Sequence, residues 1–219
     1  MWILMSSVIH TIESAPFAEN SYIVHRRGRA DAVVIDPGFE PEPILDCLRQ
    51  HKLTLAAILN THGHVDHIAG NAAIKDAFPD APLIIGHGDA PMLTDAGLNL
   101  SGDFGIPITS PPADRTLRDG DALEVAGLTF DVREIPGHSP GHIVYICRDD
   151  SRDVFGGDVL FAGSIGRTDF PGGDLDLLLT GIREKLWPLP DSARVYPGHG
   201  PATTIGHERR SNPFLAEFR

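Results

Sequence analysis

Only two cysteines, Cys47 and Cys147, occur in the chain, far apart and without metal-ligand spacing. They read as packed, reduced thiols of a cytoplasmic protein, with a disulfide the weaker alternative. No apolar run is long enough to span a bilayer, so no membrane segment is expected. Basic residues are scarce: 18 Lys and Arg stand against 30 Asp and Glu, a formal net charge of −12. Phosphate binding needs a basic face, and this balance argues against a nucleic-acid partner. It also discounts an anionic substrate, although a few local arginines could hold one. Long blocks of like charge are missing, so the acidity reads as a solvated surface. No linker, low-complexity segment, fixed-period repeat or nucleophile-elbow motif interrupts the pattern. Met1-Trp2-Ile3-Leu4-Met5 lacks a basic flank and a small-residue cleavage site, and reads as a first strand rather than a signal peptide. At 219 residues and 42% hydrophobic content, the chain can bury a sizeable core and reads as one domain, 1–219.

What is abundant is histidine in one place. Thr61-His62-Gly63-His64-Val65-Asp66-His67 follows the apolar run from Leu55 to Leu59, which reads as a buried strand. Imidazole and carboxylate donors suit zinc, iron or manganese. Side-chain direction repeats every second residue in extended backbone, so His62 and His64 can point the same way. Gly63 allows a tight turn between them. Asp66 and His67, one turn further on, could reach a second metal. Three more candidate ligands lie downstream: His138 in Pro136-Gly137-His138-Ser139-Pro140-Gly141-His142, Asp158 after Phe155-Gly156-Gly157, and His199 in Tyr196-Pro197-Gly198-His199-Gly200. Each follows a β-like run and sits among glycines and prolines, in a loop at a strand end where functional side chains concentrate.

In order, Val8 to Thr11, Ser21 to His25 and Ala32 to Ile35 read as an antiparallel meander. A helix is expected from Pro41 to His51, another from about Ala69 to Phe78, and a strand at Leu83-Ile84-Ile85. Residues 86–115 are irregular, the composition of a lid or substrate wall, and His87 there is not placed at the metal. Strands then follow at Ala122 to Val125, Leu128 to Ile135, Ile143 to Cys147 and Asp153 to Phe155, with a turn at Asp149-Asp150-Ser151. Asp174 reads as the N-cap of a helix through Leu186, before a last strand from Ala193 to Tyr196. Each half thus supplies strands and at least one helix. The expected fold is an α/β, four-layer αββα sandwich: two mostly antiparallel sheets face to face, helices outside and the ligand loops at one edge.

His62, His64, Asp66 and His67, followed by His138, Asp158 and His199, resemble the ligand set of the metallo-β-lactamase fold superfamily, in order and over essentially the whole chain. Gly137 to His142, Gly157-Asp158-Val159-Leu160-Phe161 and Gly166-Arg167-Thr168-Asp169-Phe170 look like the glyoxalase II (hydroxyacylglutathione hydrolase) group and its short prokaryotic relatives. That resemblance implies one metal on His62, His64 and His138, a second on Asp66, His67 and His199, and Asp158 bridging them. The cofactors are then two divalent ions, zinc, iron or manganese, and the activity is hydrolysis of a small-molecule thioester such as S-lactoylglutathione, with Asp66 orienting the attacking hydroxide. The same resemblance puts Arg167 at the substrate's carboxylate side; a surface arginine near a strand end is the alternative. The common zinc β-lactamases place a cysteine ligand in the second half, and none stands there. The larger glyoxalase II enzymes add a helical C-terminal domain, where only a short segment follows His199 here. A mononuclear iron persulfide dioxygenase, with iron on His62, His138 and Asp158, shares the fold and the Gly166-Arg167-Thr168-Asp169 run, and a lactonase is a third reading. Asp36 reads as part of an Asp-Pro-Gly turn more simply than as a support for a ligand histidine. His142 reads as structural, and His10, His25, His51 and His207 as ordinary surface or strand residues.

Overall fold

Two six-stranded sheets lie face to face in a computed structural model that describes residues 7–149 and 151–218. The strand expected at Met1 to Met5 and the centre of the turn at Asp150 fall outside the described residues. The first sheet takes β1 (Ser7–Ser14), β2 (Glu19–Arg26), β3 (Asp31–Ile35), β4 (Thr54–Leu59), β5 (Leu83–Gly86) and β6 (Arg115–Leu117) in sequence order. The second holds β7 (Ala122–Val125), β8 (Leu128–Glu134), β9 (Ile143–Cys147), β10 (Val154–Gly157), β13 (Arg194–Pro197) and β14 (Thr203–Thr204). A small hairpin, β11 (Leu160–Phe161) with β12 (Ser164–Ile165), follows β10. Among the described residues are five α-helices: α1 (Pro41–Gln50), α2 (Val65–Ile68), α3 (Asn71–Ala77), α4 (Leu175–Gly181) and α5 (Ile205–Ser211).

Side-chain alternation explains the layers. In β3, Val33 and Ile35 face the second sheet and pack with Phe130 and Tyr145, whereas Ala32 and Val34 face outward onto Ile44 and Leu48 of α1. Both faces of the strand are covered, so its sequence is a continuous apolar run. On the far side, Leu178 and Ile182 of α4 and its continuation, with Ile205 of α5, cover Val144 and Val195. The order helix, sheet, sheet, helix is the one expected. The antiparallel majority holds in the second sheet, but the first is mixed. β1–β3 are antiparallel, and β3 to β6 pair in parallel because α1, then α2–α3, then the long irregular stretch before β6 return the chain to the same end between strands.

α1 starts on Pro41, whose missing N–H is no loss in a first turn. α4 is capped by Asp174, whose carboxylate accepts from Leu177 N at 3.0 Å. Asp174→Ala is therefore expected to cost about 1 kcal/mol of stability, read as a lower urea midpoint at unchanged slope.

Candidate metal centre

Strand ends deliver every candidate ligand to one end of the sandwich. β4 runs on through Thr61 to His62 and His64, and His64 caps the single turn of α2 that carries Asp66 and His67. The β8–β9 connection carries His138, the chain after β10 carries Asp158 and the chain after β13 carries His199. All seven come together. His62, His64 and His138 offer ring nitrogens within 4.8 Å of one another, and Asp66, His67 and His199 form a second such group. Asp158 lies between them, with Oδ2 3.4 Å from His138 Nε2 and 3.6 Å from His199 Nε2, and Oδ1 3.5 Å from His67 Nε2.

Acceptors behind the rings fix which nitrogen carries the proton. Asp36 accepts from the Thr61 backbone N–H at 2.7 Å and from its hydroxyl at 2.6 Å, so Thr61 Oγ1 is left to accept from His62 Nδ1 at 3.1 Å. Asp36 also accepts from His67 Nδ1 at 3.1 Å. The backbone carbonyls of Arg167 and Phe17 accept from His138 Nδ1 at 2.9 Å and His199 Nδ1 at 3.1 Å. In a neutral ring the remaining nitrogen is a lone pair. Four Nε2 atoms thus converge, and His64 turns its Nδ1 to within 2.9 Å of His138 Nε2.

His62 Nε2, His67 Nε2 and Asp158 Oδ1 are buried with no hydrogen-bond partner. A buried acceptor left without a donor costs about 1–3 kcal/mol, and cations between the two groups would satisfy all of them together. Burial, aided by neighbouring imidazoles, pushes the His62 and His64 pKa values well below the ordinary histidine value, which keeps the rings in the neutral form a metal needs. Five imidazoles and two carboxylates, without sulfur, suit zinc, iron or manganese. The residues fit divalent metal.

Asp36 corrects the simpler turn reading. It ends β3 with φ +48°, is buried, and spends its carboxylate on Thr61 and His67. Although Asp36, His62 and His67 also come within 4.8 Å of one another, those hydrogen bonds make Asp36 a support rather than a ligand. His142 packs locally, as expected: its ring stacks on His62 at 4.7 Å, and its Nε2 accepts from the backbone N–H of Asp158 at 3.1 Å. His87 is exposed and away from the cluster. The Arg167 guanidinium forms a two-pronged pair with Asp169, at 2.7 and 2.8 Å, and lies over the Phe170 ring at 3.9 Å.

Asp89 carried no signal beyond lying just past β5 in the irregular stretch. Buried, it accepts from Ser139 Oγ at 2.5 Å and Gly141 N at 2.6 Å on the His138 loop, and from Gly63 N at 3.2 Å between His62 and His64. It ties the two histidine loops together. Asp89→Ala is expected to weaken metal binding and turnover by about 10–100-fold, the usual cost of losing an outer partner, with metal affinity by competition against a chelator as the check.

The sequence profile of the metallo-beta-lactamase superfamily matches residues 15–199. Hydroxyacylglutathione hydrolase GloC of Haemophilus influenzae is 41% identical over 188 residues, covering 84% of this chain and 87% of that one. Among solved structures, BLEG-1 B3 metallo-beta-lactamase superposes with a TM-score of 0.91 at 41% identity, over 95% of this chain and 99% of that one. TTHA1623, solved in a di-iron-bound form, gives a TM-score of 0.82 at 39% identity, over 94% and 100% of the two chains.

Proposed function

From the chain's membership of the metallo-β-lactamase superfamily as a metallo-hydrolase, we propose that it is a binuclear enzyme that cleaves thioesters, S-lactoylglutathione among them. The observation that carries this reading is the pair of ligand groups with Asp158 between them; the relative named as a hydroxyacylglutathione hydrolase supports the choice of thioester. His62, His64 and His138 would hold one ion and Asp66, His67 and His199 the other, with Asp158 placed between the two groups to serve either. Bound there, divalent cations lower the pKa of water from about 15.7 toward about 7 and polarise a carbonyl.

The chain's own groups do the rest. Burial opposes ionisation of Asp66, yet the imidazoles of His67 and His199 hold its carboxyl well below the usual range. It stays an acceptor, available to orient the hydrogen of the attacking water. Above His64, His138, Asp158 and His199 opens a cavity of about 390 Å³ walled by Phe17, Leu100, Phe161, Ile165 and Phe170. An apolar cavity of about 260 Å³ adjoins it through Phe17 and Val65. Such walls suit the weakly hydrated acyl and sulfur parts of a thioester and exclude bulk water from them. Arg167, also on the cavity wall, meets a substrate carboxylate by giving up Asp169. Water adds to the carbonyl carbon, the C–S bond breaks, and carboxylic acid and thiol leave.

Elemental analysis beside an anaerobic S-lactoylglutathione assay tests the proposal. Two divalent ions per chain and thiol release without oxygen are expected. One iron per chain with oxygen uptake on glutathione persulfide, or β-lactam turnover without thioester turnover, overturns it.

A further inference from the structure

A second cluster of ligating side chains shares no residue with the hydrolytic centre. β1 and β2 pair with Val8 opposite His25 and His10 opposite Ile23. Alternation therefore puts His10 and His25 on the same face as Ile23 and Ile12, the outer face covered by Ile44, Leu45 and Leu48 of α1. Cys47 lies on α1, and His51, at its C-cap, comes one turn later, so the two side chains project together. The spacing that carried no metal signal from Cys47 to Cys147 is thus a ligand spacing from Cys47 to His51.

The sulfur of Cys47 and one ring nitrogen each of His10 and His51 lie within 4.8 Å of one another. His10 and His51 have ring centroids 4.3 Å apart. His25 joins from the other side, its Nε2 3.3 Å from His10 Nε2. The His25 Nδ1 donates to the Arg26 carbonyl at 3.2 Å, which leaves its Nε2 as a lone pair aimed at His10. This is the same arrangement that holds His138 and His199, a backbone carbonyl behind the ring and a lone pair in front.

We propose that His10, Cys47 and His51 form a separate site for a borderline-soft divalent ion such as zinc, with His25, which adjoins the group through His10, supplying the fourth position of the tetrahedral count. Binding releases the Cys47 thiol proton to solvent and forms a metal–thiolate bond. Because that proton is released, affinity strengthens as pH rises. The ion joins the end of α1 to the β1–β2 hairpin at the edge of the first sheet, and its effect is on the stability of that corner. The hydrolytic reading above does not bear on it.

Cobalt(II) separates the two sites by spectrum. No candidate ligand of the hydrolytic centre is a cysteine, so a sulfur-to-cobalt charge-transfer band can come only from a cysteine site. Titrating the metal-free protein with cobalt(II) is expected to raise one such band, with a plateau amplitude of one thiolate-bound cobalt per chain, and zinc displaces it. Cys47→Ser removes the band. His51→Ala, which keeps the thiol, weakens cobalt binding by at least about tenfold, beyond the lower bound for losing an outer partner. Both variants keep the far-ultraviolet circular dichroism and the thioesterase rate of the parent, since neither residue touches that centre. A titration without the band, a band that survives Cys47→Ser, or His51→Ala binding cobalt as the parent does, overturns the proposal.

Discussion

Asp158→Ala is expected to drop bound metal from two ions per chain to one or none, and to lower kcat/KM for a thioester by more than about a hundredfold. Loss of an outer partner already costs about 10–100-fold, and Asp158 lies between the two groups rather than behind one ring. Its two oxygens lie 3.4–3.6 Å from histidines of both groups. Without them, five imidazoles and one carboxylate would have to hold both proposed cations, with no anion between the two like charges. The loop itself survives, because the Asp158 backbone N–H is held by His142 and the Gly198 N–H by the Gly157 carbonyl. Loss of metal with the parent's circular dichroism is therefore the expected pair of observations. A variant that keeps both ions and full turnover would remove the bridging role and the binuclear reading with it.

Asp36→Asn should produce the second-largest loss, selective for one group. Three donors converge on the Asp36 carboxylate: Thr61 N, Thr61 Oγ1 and His67 Nδ1. An amide presents one acceptor oxygen and two N–H donors, so at least one donor meets another donor. Asparagine tolerates the φ of +48° that residue 36 adopts, so backbone strain stays constant while the acceptor is lost. His67 then no longer has its Nδ1 proton fixed, and its Nε2 lone pair is no longer held toward Asp66 and Asp158. Competition against a graded chelator should show one ion weakened by about 10–100-fold and the other little changed. Equal weakening of both would mean that Asp36 acts mainly through Thr61 and His62.

The candidate ligands were legible because their signal is local. Three histidines crowd one strand end, and the remaining ligands each stand beside glycine after an apolar run. Their supports were not, because an acceptor and its donor can lie anywhere in the chain. Asp36 meets Thr61 across 25 positions and Asp89 meets Gly141 across 52. Nothing in Asp-Pro-Gly separates a turn from an orienting carboxylate until β3 and β4 are laid side by side. The sandwich was legible from apolar periodicity, whereas parallel pairing in the first sheet was not, since alternation reports the faces of a strand and not its neighbour's direction. β11, β12 and β14 have only two residues each, too few for any period to show. The pairing of Cys47 with His51 was hidden by comparing cysteine with cysteine alone.

Phe17 and Arg167 each serve twice. Their side chains wall the cavity, while their main-chain oxygens hold His199 and His138 in place. A peptide carbonyl is the same whichever amino acid bears it. Selection can therefore exchange the groups at 17 and 167 to suit a new acyl or thiol partner without disturbing the imidazoles behind, and a scaffold so wired can diversify its substrates while its inorganic chemistry stays put.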